Sequence, residues 1–206
     1  MTLKIIVEGG GNSRADQQQL RESMAKLISR ALPRGAPKPK VTADGGRGNA
    51  FKEFKLALKA GEPAMLLVDS ESVVVTHHSP WQHVASRRGD EWERPAAASE
   101  DDLHFMAAVM ETWLAADPEA AAAYFGQGFK ADKLPATLDL EQVDKAALYA
   151  SLVAATHDTR KRWTEDAGKA MSSELVGKID PAKVQARAKR FAPRFFTELK
   201  KRLAVA

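Results

Sequence analysis

The sequence predicts an α/β fold, a mainly parallel sheet flanked by helices and continued by a helical C-terminal region. Three observations lead there. Short strand-like runs at residues 3–7, 40–43 and 64–68 alternate with helical periodicity at residues 14–31 and around Phe51, Phe54 and Leu58. Alternation of this kind implies βαβ crossovers. The run Ala64-Met65-Leu66-Leu67-Val68 is apolar without interruption, as in a parallel strand buried on both faces. After Gly126 and Gly128 the pattern turns helical.

Each element has a local cause. The first strand is β-branched and stops at Glu8-Gly9-Gly10-Gly11, where glycines permit a tight turn. Ser13 suits a helix cap, and Leu20, Met24, Leu27, Ile28 and Ala31 follow at helical spacing. Pro33 to Pro37 ends that helix. The weak second strand runs into Asp44-Gly45-Gly46-Arg47-Gly48-Asn49. The third strand ends at Asp69-Ser70-Glu71. Residues 72–102 show no clean period, which suggests a functional or partly folded insertion. The apolar run from Leu103 to Met110 fits either a buried strand or a helix start. Asp117-Pro118-Glu119 caps an Ala-rich helix. Further helices are expected near residues 141–155 and 163–177, and from Asp180-Pro181 onward. In the last of these Val184, Ala188, Phe191, Phe195, Leu199 and Leu203 form a buried stripe, with a kink or split at Pro193. The expected division is an α/β domain over residues 1–125, with the insertion at about 72–102, and a helical region over 126–206 packed on it.

Composition narrows the class. The chain has 206 residues, 44% hydrophobic and 28% charged, and no cysteine. Disulfides and thiolate metal sites are excluded. No apolar run approaches the ~20 residues of a membrane helix, and the N-terminal apolar run is too short for a signal peptide. A cytoplasmic protein with no membrane association is expected. Residues 157–206 hold 13 Lys and Arg against 6 Asp and Glu, while residues 1–156 hold 18 against 21. A basic region beside an acidic one suits nucleic acid or an acidic partner, and equally a solvated helical face.

Glu8, Asp69 and Glu71 are the main chemical candidates, because sites in open α/β sheets lie beyond the carboxyl ends of strands. Alone, each acid also fits a strand end or helix cap in water. Gathered, they repel unless a cation is present, and oxygen-only ligands suit Mg²⁺ or Mn²⁺. With such an ion the natural chemistry is phosphoryl transfer or phosphodiester cleavage. The triple-glycine turn could offer N–H groups to a phosphate, but it is neither a P-loop nor a dinucleotide fingerprint. Arg47, opening a helix, suits a phosphate contact or a solvent-facing loop position. Ser13, Lys161 and Arg162 are further candidate contacts to phosphate or nucleic acid. His77, His78, His83 and His104 lack the spacing of a zinc motif. Trp81, Trp92, Trp113 and Trp163 suit core or interface positions.

A strand ending in Glu-Gly, followed by a later strand ending in an Asp-x-Asp-like pair, resembles the Toprim domain. The segments Val7-Glu8-Gly9-Gly10-Gly11, Gly45-Gly46-Arg47-Gly48-Asn49-Ala50-Phe51, Leu66-Leu67-Val68-Asp69-Ser70-Glu71, Pro80-Trp81-Gln82-His83, Met110-Glu111-Thr112-Trp113-Leu114-Ala115-Ala116-Asp117 and Ile179-Asp180-Pro181-Ala182-Lys183-Val184 resemble an uncharacterised bacterial Toprim-like family. That family is related to the Toprim nucleases, OLD-like and PARIS-type, that partner ATPases in anti-phage defence. The resemblance implies a Toprim-like, Rossmann-like fold, with Glu8 as general acid/base or metal ligand. It also implies Asp69 and Glu71 as the metal-binding pair, and Glu111 as a further acid near the metal. An ABC-like or AAA ATPase partner and a nucleic acid substrate are implied as well, and homo-oligomer formation is left open. The chain departs from the pattern at Glu71, one methylene longer than the usual Asp, and at Asn12, where an acid often sits. The resulting expectation is a Mg²⁺- or Mn²⁺-dependent nuclease serving as the effector of an ATPase-coupled system. The alternatives are a non-catalytic interaction subunit that regulates the ATPase, and an enzyme of small phosphoesters.

Overall fold

The computed structural model describes residues 1–11 and 13–203. Strands β1 (Lys4–Val7), β2 (Lys40–Ala43), β3 (Ala64–Asp69) and β4 (Leu103–Met106) form one sheet in the order β2-β1-β3-β4, with every pairing parallel. Helix α1 (Arg14–Ala31) links β1 to β2, and α2 (Arg47–Lys59) links β2 to β3. The chain steps one way to β2 and the other way to β3, so right-handed crossovers put the two helices on opposite faces. The packing agrees. Ile5 and Val7 meet Leu20, Met24 and Leu27 of α1, whereas Ile6 meets Phe51 and Phe54 of α2, following the two-residue period of a strand.

Residues 72–102 contain more regular structure than their sequence suggests. Helix α3 (Pro80–Ser86) has a capping box in which the Ser79 hydroxyl accepts from the Gln82 N–H and the Gln82 side chain accepts from the Ser79 N–H. The helix is short, so it leaves little periodic signal, and tertiary packing holds it. Trp81 lies 6.4 Å from Phe51 and 6.2 Å from Phe54, and Trp92 stacks on Phe51 at 4.2 Å.

The apolar run from Leu103, which period left undecided, is strand for four residues and then turns into α4 (Glu111–Ala115). Next come α5 (Pro118–Phe125), α6 (Lys145–Thr156), α7 (Glu165–Leu175), α8 (Pro181–Arg187) and α9 (Phe191–Arg202). They share one apolar core with α1 and its face of the sheet. The kink expected at Pro193 is corrected. The break falls at residues 188–190, between α8 and α9, and Pro193 sits in the first turn of α9, where its missing N–H would have had no intrahelical acceptor. Among the described residues no helix is long and apolar enough to cross a membrane.

All four tryptophans are buried. Trp163 lies against α7 at Gly168, where an added Cβ would come within 2.2 Å of the indole Cε2. Gly168→Ala is therefore expected to lower stability by about 2 kcal/mol through overpacking. Urea unfolding checks this, and an unchanged midpoint would mean that the indole moves aside freely.

Candidate functional site

The order β2-β1-β3-β4 reverses direction at β1, so the crevice between the carboxyl ends of β1 and β3 is a topological switch point. Glu8 follows β1 and Asp69 ends β3, one on each side of that crevice. The two glycine turns close its rim. The Gly9 N–H donates to the Gly45 carbonyl at 2.8 Å, an antiparallel bridge between the β1 and β2 exits. Gly10 has φ +83, and a Cβ there would stand 2.7 Å from the Gln17 Cα. Only glycine lets the turn lie this close to the start of α1.

A cavity of about 490 Å³ opens at this point. Glu8, Asp69, Glu71 and Glu111 all line it, together with Lys145 and Tyr149 of α6. Its walls carry six acidic side chains and two lysines, so acidic groups outnumber basic ones along the lining.

Every acid is held by a different element. The Glu8 Oε2 accepts from the Asp69 N–H at 3.1 Å and from Arg47 Nη1 at 3.0 Å. Arg47 Nη1 also donates to the Asp69 carbonyl. Glu71 is left-handed, at φ +65, with its N–H given to the Ala108 carbonyl at 2.7 Å. A left-handed glutamate costs roughly 1–2 kcal/mol, and such outliers cluster at functional sites. Its Oε2 accepts from Lys145 Nζ at 2.7 Å. Glu111, at the start of α4, is 4% exposed.

Burial dominates the protonation of the group. Burial, more than the opposing Arg47 charge, pushes Glu8 up from the ordinary glutamate range. Burial also raises Glu111, against a hydrogen bond from Ser172. Asp69 is pushed well above the aspartate range, first by burial and then by the charges of Glu8, Glu111 and Glu71. Lys145 is pulled down by burial but raised overall by Glu71, Asp69 and Glu111. Among the described residues the Asp69 Oδ1, which is enclosed, has no hydrogen-bond partner, which is a costly state for a carboxylate oxygen.

That orphaned oxygen, in an all-carboxylate donor set, fits a hard divalent cation. Asp69, Glu71 and Glu111 are the residues that would hold it. Among the described residues, however, no three acidic or imidazole side chains are already gathered for a metal. Glu8 is turned to Arg47 and Glu71 to Lys145. In Glu71 the lysine engages only Oε2, and an ion bound there would share the carboxylate with Lys145.

The other sequence candidates fall differently. Arg47 reaches the site but is neither a solvent-facing loop residue nor open to a phosphate. Its Nε and Nη2 grip the Asp90 carboxylate at 2.6 and 2.7 Å, and the guanidinium lies 4.7 Å over the Trp92 ring. Ser13 caps α1 by accepting from the Asp16 N–H at 3.0 Å, and does not line the cavity. Lys161 and Arg162 are exposed outside the cavity lining, Lys161 above the Tyr124 ring at 4.5 Å. Asn12 lies outside the described residues. The His83 Nε2 is 2.8 Å from the Ser70 carbonyl, and the His104 Nε2 is 2.9 Å from that of Asp101. Burial holds His104 down at about 3, so it is neutral. Sequence reasoning missed Lys145, Tyr149 and Asp90. Lys145 did leave a signal, because a lysine opening a helix opposes the helix dipole and needs an acidic neighbour. Asp90 left none.

A family model described as a domain of unknown function, DUF4276, matches residues 7–200. The chain belongs to the DUF4276 family. The matched stretch of that domain contains all six acidic residues of the cavity lining and Lys145. Comparisons with curated proteins and with solved structures found no match.

Proposed function

We propose that this chain is a Toprim-like, Mg²⁺- or Mn²⁺-dependent phosphodiester hydrolase acting on nucleic acid. The observation that carries the reading is the enclosed Asp69 Oδ1, without a hydrogen-bond partner among the described residues, on a residue that lines one cavity with Glu8, Glu71 and Glu111 at the switch point. A divalent ion there would lower the pKa of an attacking water and offset charge on the phosphate. Asp69, Glu71 and Glu111 would hold it. Glu8, whose pKa burial lifts above the ordinary glutamate range, is suited to carry a proton between water and leaving oxygen. Lys145, with one donor on Glu71, has further N–H groups to offer a phosphate oxygen. The excess of Lys and Arg in residues 157–206 favours a polyanionic substrate. A role as effector beside an ABC-like or AAA ATPase, in anti-phage defence, is added by the Toprim resemblance alone.

Cleavage of DNA and RNA with Mn²⁺ is the test. Asp69→Ala and Glu8→Ala are expected to lose more than about 100-fold, beyond the usual cost of removing even an outer partner of a metal. If both variants cut like the parent, or chelation leaves cutting unchanged, the reading is wrong.

One observation favours a second reading, a non-catalytic subunit that binds a partner ATPase. Glu8 and Glu71 already carry their own cations, Arg47 and Lys145. Calorimetry separates the two, since only the hydrolase requires Mn²⁺ binding that Asp69→Ala abolishes.

A further inference from the structure

Resting on the site just described, we infer that Asp90 is its positioning residue, holding Arg47 on Glu8 and on the Asp69 carbonyl and so fixing where the Glu8 carboxylate stands. Asp90 lies between α3 and β4, and its side chain is 1% exposed. Its partners are two arginines: Arg47, through the two-point grip, and Arg87, whose Nη1 is 3.0 Å away. Asp90 therefore acts on the cavity through Arg47.

The guanidinium leaves little freedom in that linkage. Arg has five N–H groups in a planar fork, and four are assigned here. Nε and Nη2 go to Asp90, and both hydrogens of Nη1 go to Glu8 and the Asp69 carbonyl. Trp92 lies beneath the plane and is itself stacked on Phe51 with 12° between the rings. A fork gripped at one end by Asp90 and floored by an indole presents Nη1 in one direction only. A lysine could not do this, because its ammonium has no plane. Without Asp90, Nε and Nη2 lose their acceptors in a largely dry place. The surplus acceptors nearby are the cavity carboxylates, so the released guanidinium turns toward Asp69 and Glu71. There it competes with the divalent cation and draws Glu8 with it.

The test uses the ion-free full chain and reads the Asp69 amide by NMR, since that N–H donates to Glu8 Oε2. Asp90→Asn is expected to shift this resonance and speed its hydrogen exchange by about 10-fold or more. In an Arg47→Met background the same substitution should leave it unmoved. A merely structural Asp90 would act equally in both backgrounds, and that result, or no shift in either, overturns the inference. Mn²⁺ calorimetry gives a second readout. Asp90→Asn should weaken binding by about 10-fold, and the double variant should match Arg47→Met alone. If the NMR coupling holds while the parent binds no Mn²⁺, the positioning role stands and the cation reading falls. Should Asp90→Asn fail to fold, scalar couplings across the Arg47–Asp90 hydrogen bonds in the parent decide. Their absence overturns the inference.

Discussion

Asp69→Asn is expected to stabilise the ion-free protein by roughly 1–2 kcal/mol at pH 8 and, at the same time, to abolish Mn²⁺ binding and cleavage. The two signs have one cause. The Asp69 Oδ1 is enclosed and without a hydrogen-bond partner among the described residues, and the charges of Glu8, Glu111 and Glu71 act on the carboxyl. An amide of the same shape removes the charge without leaving a void. The effect must depend on pH. The folded pKa of Asp69 is raised above its ordinary 3.8, so its contribution to stability is fully present below pH 3.8. It is lost as pH rises through the folded value. Asn does not titrate. The variant's advantage over the parent should therefore be small near pH 4 and grow with pH to a plateau. Taking the difference between the two proteins cancels the titrations that are not linked to Asp69, including the opposite effect of His104, which is held neutral by burial. Adding Mn²⁺ at pH 8 should raise the parent's melting temperature and leave the variant's unchanged. An Asn variant less stable than the parent at pH 8 would mean that Asp69 is structurally satisfied as it stands.

The parts of this site that were legible in the sequence are those written locally. β1 and β3 show as apolar runs because both their faces are buried, and the acids at their ends stand out by contrast. Ser13 and Pro33 frame α1 because caps and prolines act within a turn or two. What remained hidden is lateral. Strand periodicity does not say which strand lies beside which, so the placing of β1 next to β3 had to come from the fold. Arg47 opens a helix and so resembled a phosphate contact, but one of its two carboxylate partners, Asp90, lies 43 positions away on a segment without period. Lys161 and Arg162 were candidate contacts to phosphate or nucleic acid within the basic C-terminal region. Charge density fixes no position, and Lys161 settles on Tyr124 instead. Trp81 and Trp92 made the insertion look irregular, yet these rings are what anchor it to α2.

Glu141 shows how far such non-local pairing supports the site, and Glu141→Ala is expected to cost about 3 kcal/mol, the upper range for bonds to a charged group. Its sequence context suggested only the start of a helix. In the fold it is 1% exposed and caps a different helix, α9. Its carboxylate accepts from the N–H groups of Arg190 at 2.8 Å, Phe191 at 2.9 Å and Ala192 at 3.1 Å. No side chain at the N-cap position replaces it. Alanine would leave these donors of the first turn buried and unpaired, whereas Glu141→Gln keeps one acceptor and should lose less. α9 brings Phe191 and Phe195 against Phe105 and His104 of β4. The short turn holding Glu141 leads directly to α6, whose Lys145 meets Glu71. Loosening this cap should thus reach the cavity from both sides. Hydrogen exchange at the Phe191 and Ala192 amides should rise first, with urea unfolding reporting the total loss. Protection unchanged at those amides in the alanine variant would show that other acceptors take over. The C-terminal helices would then hold the cavity wall without Glu141.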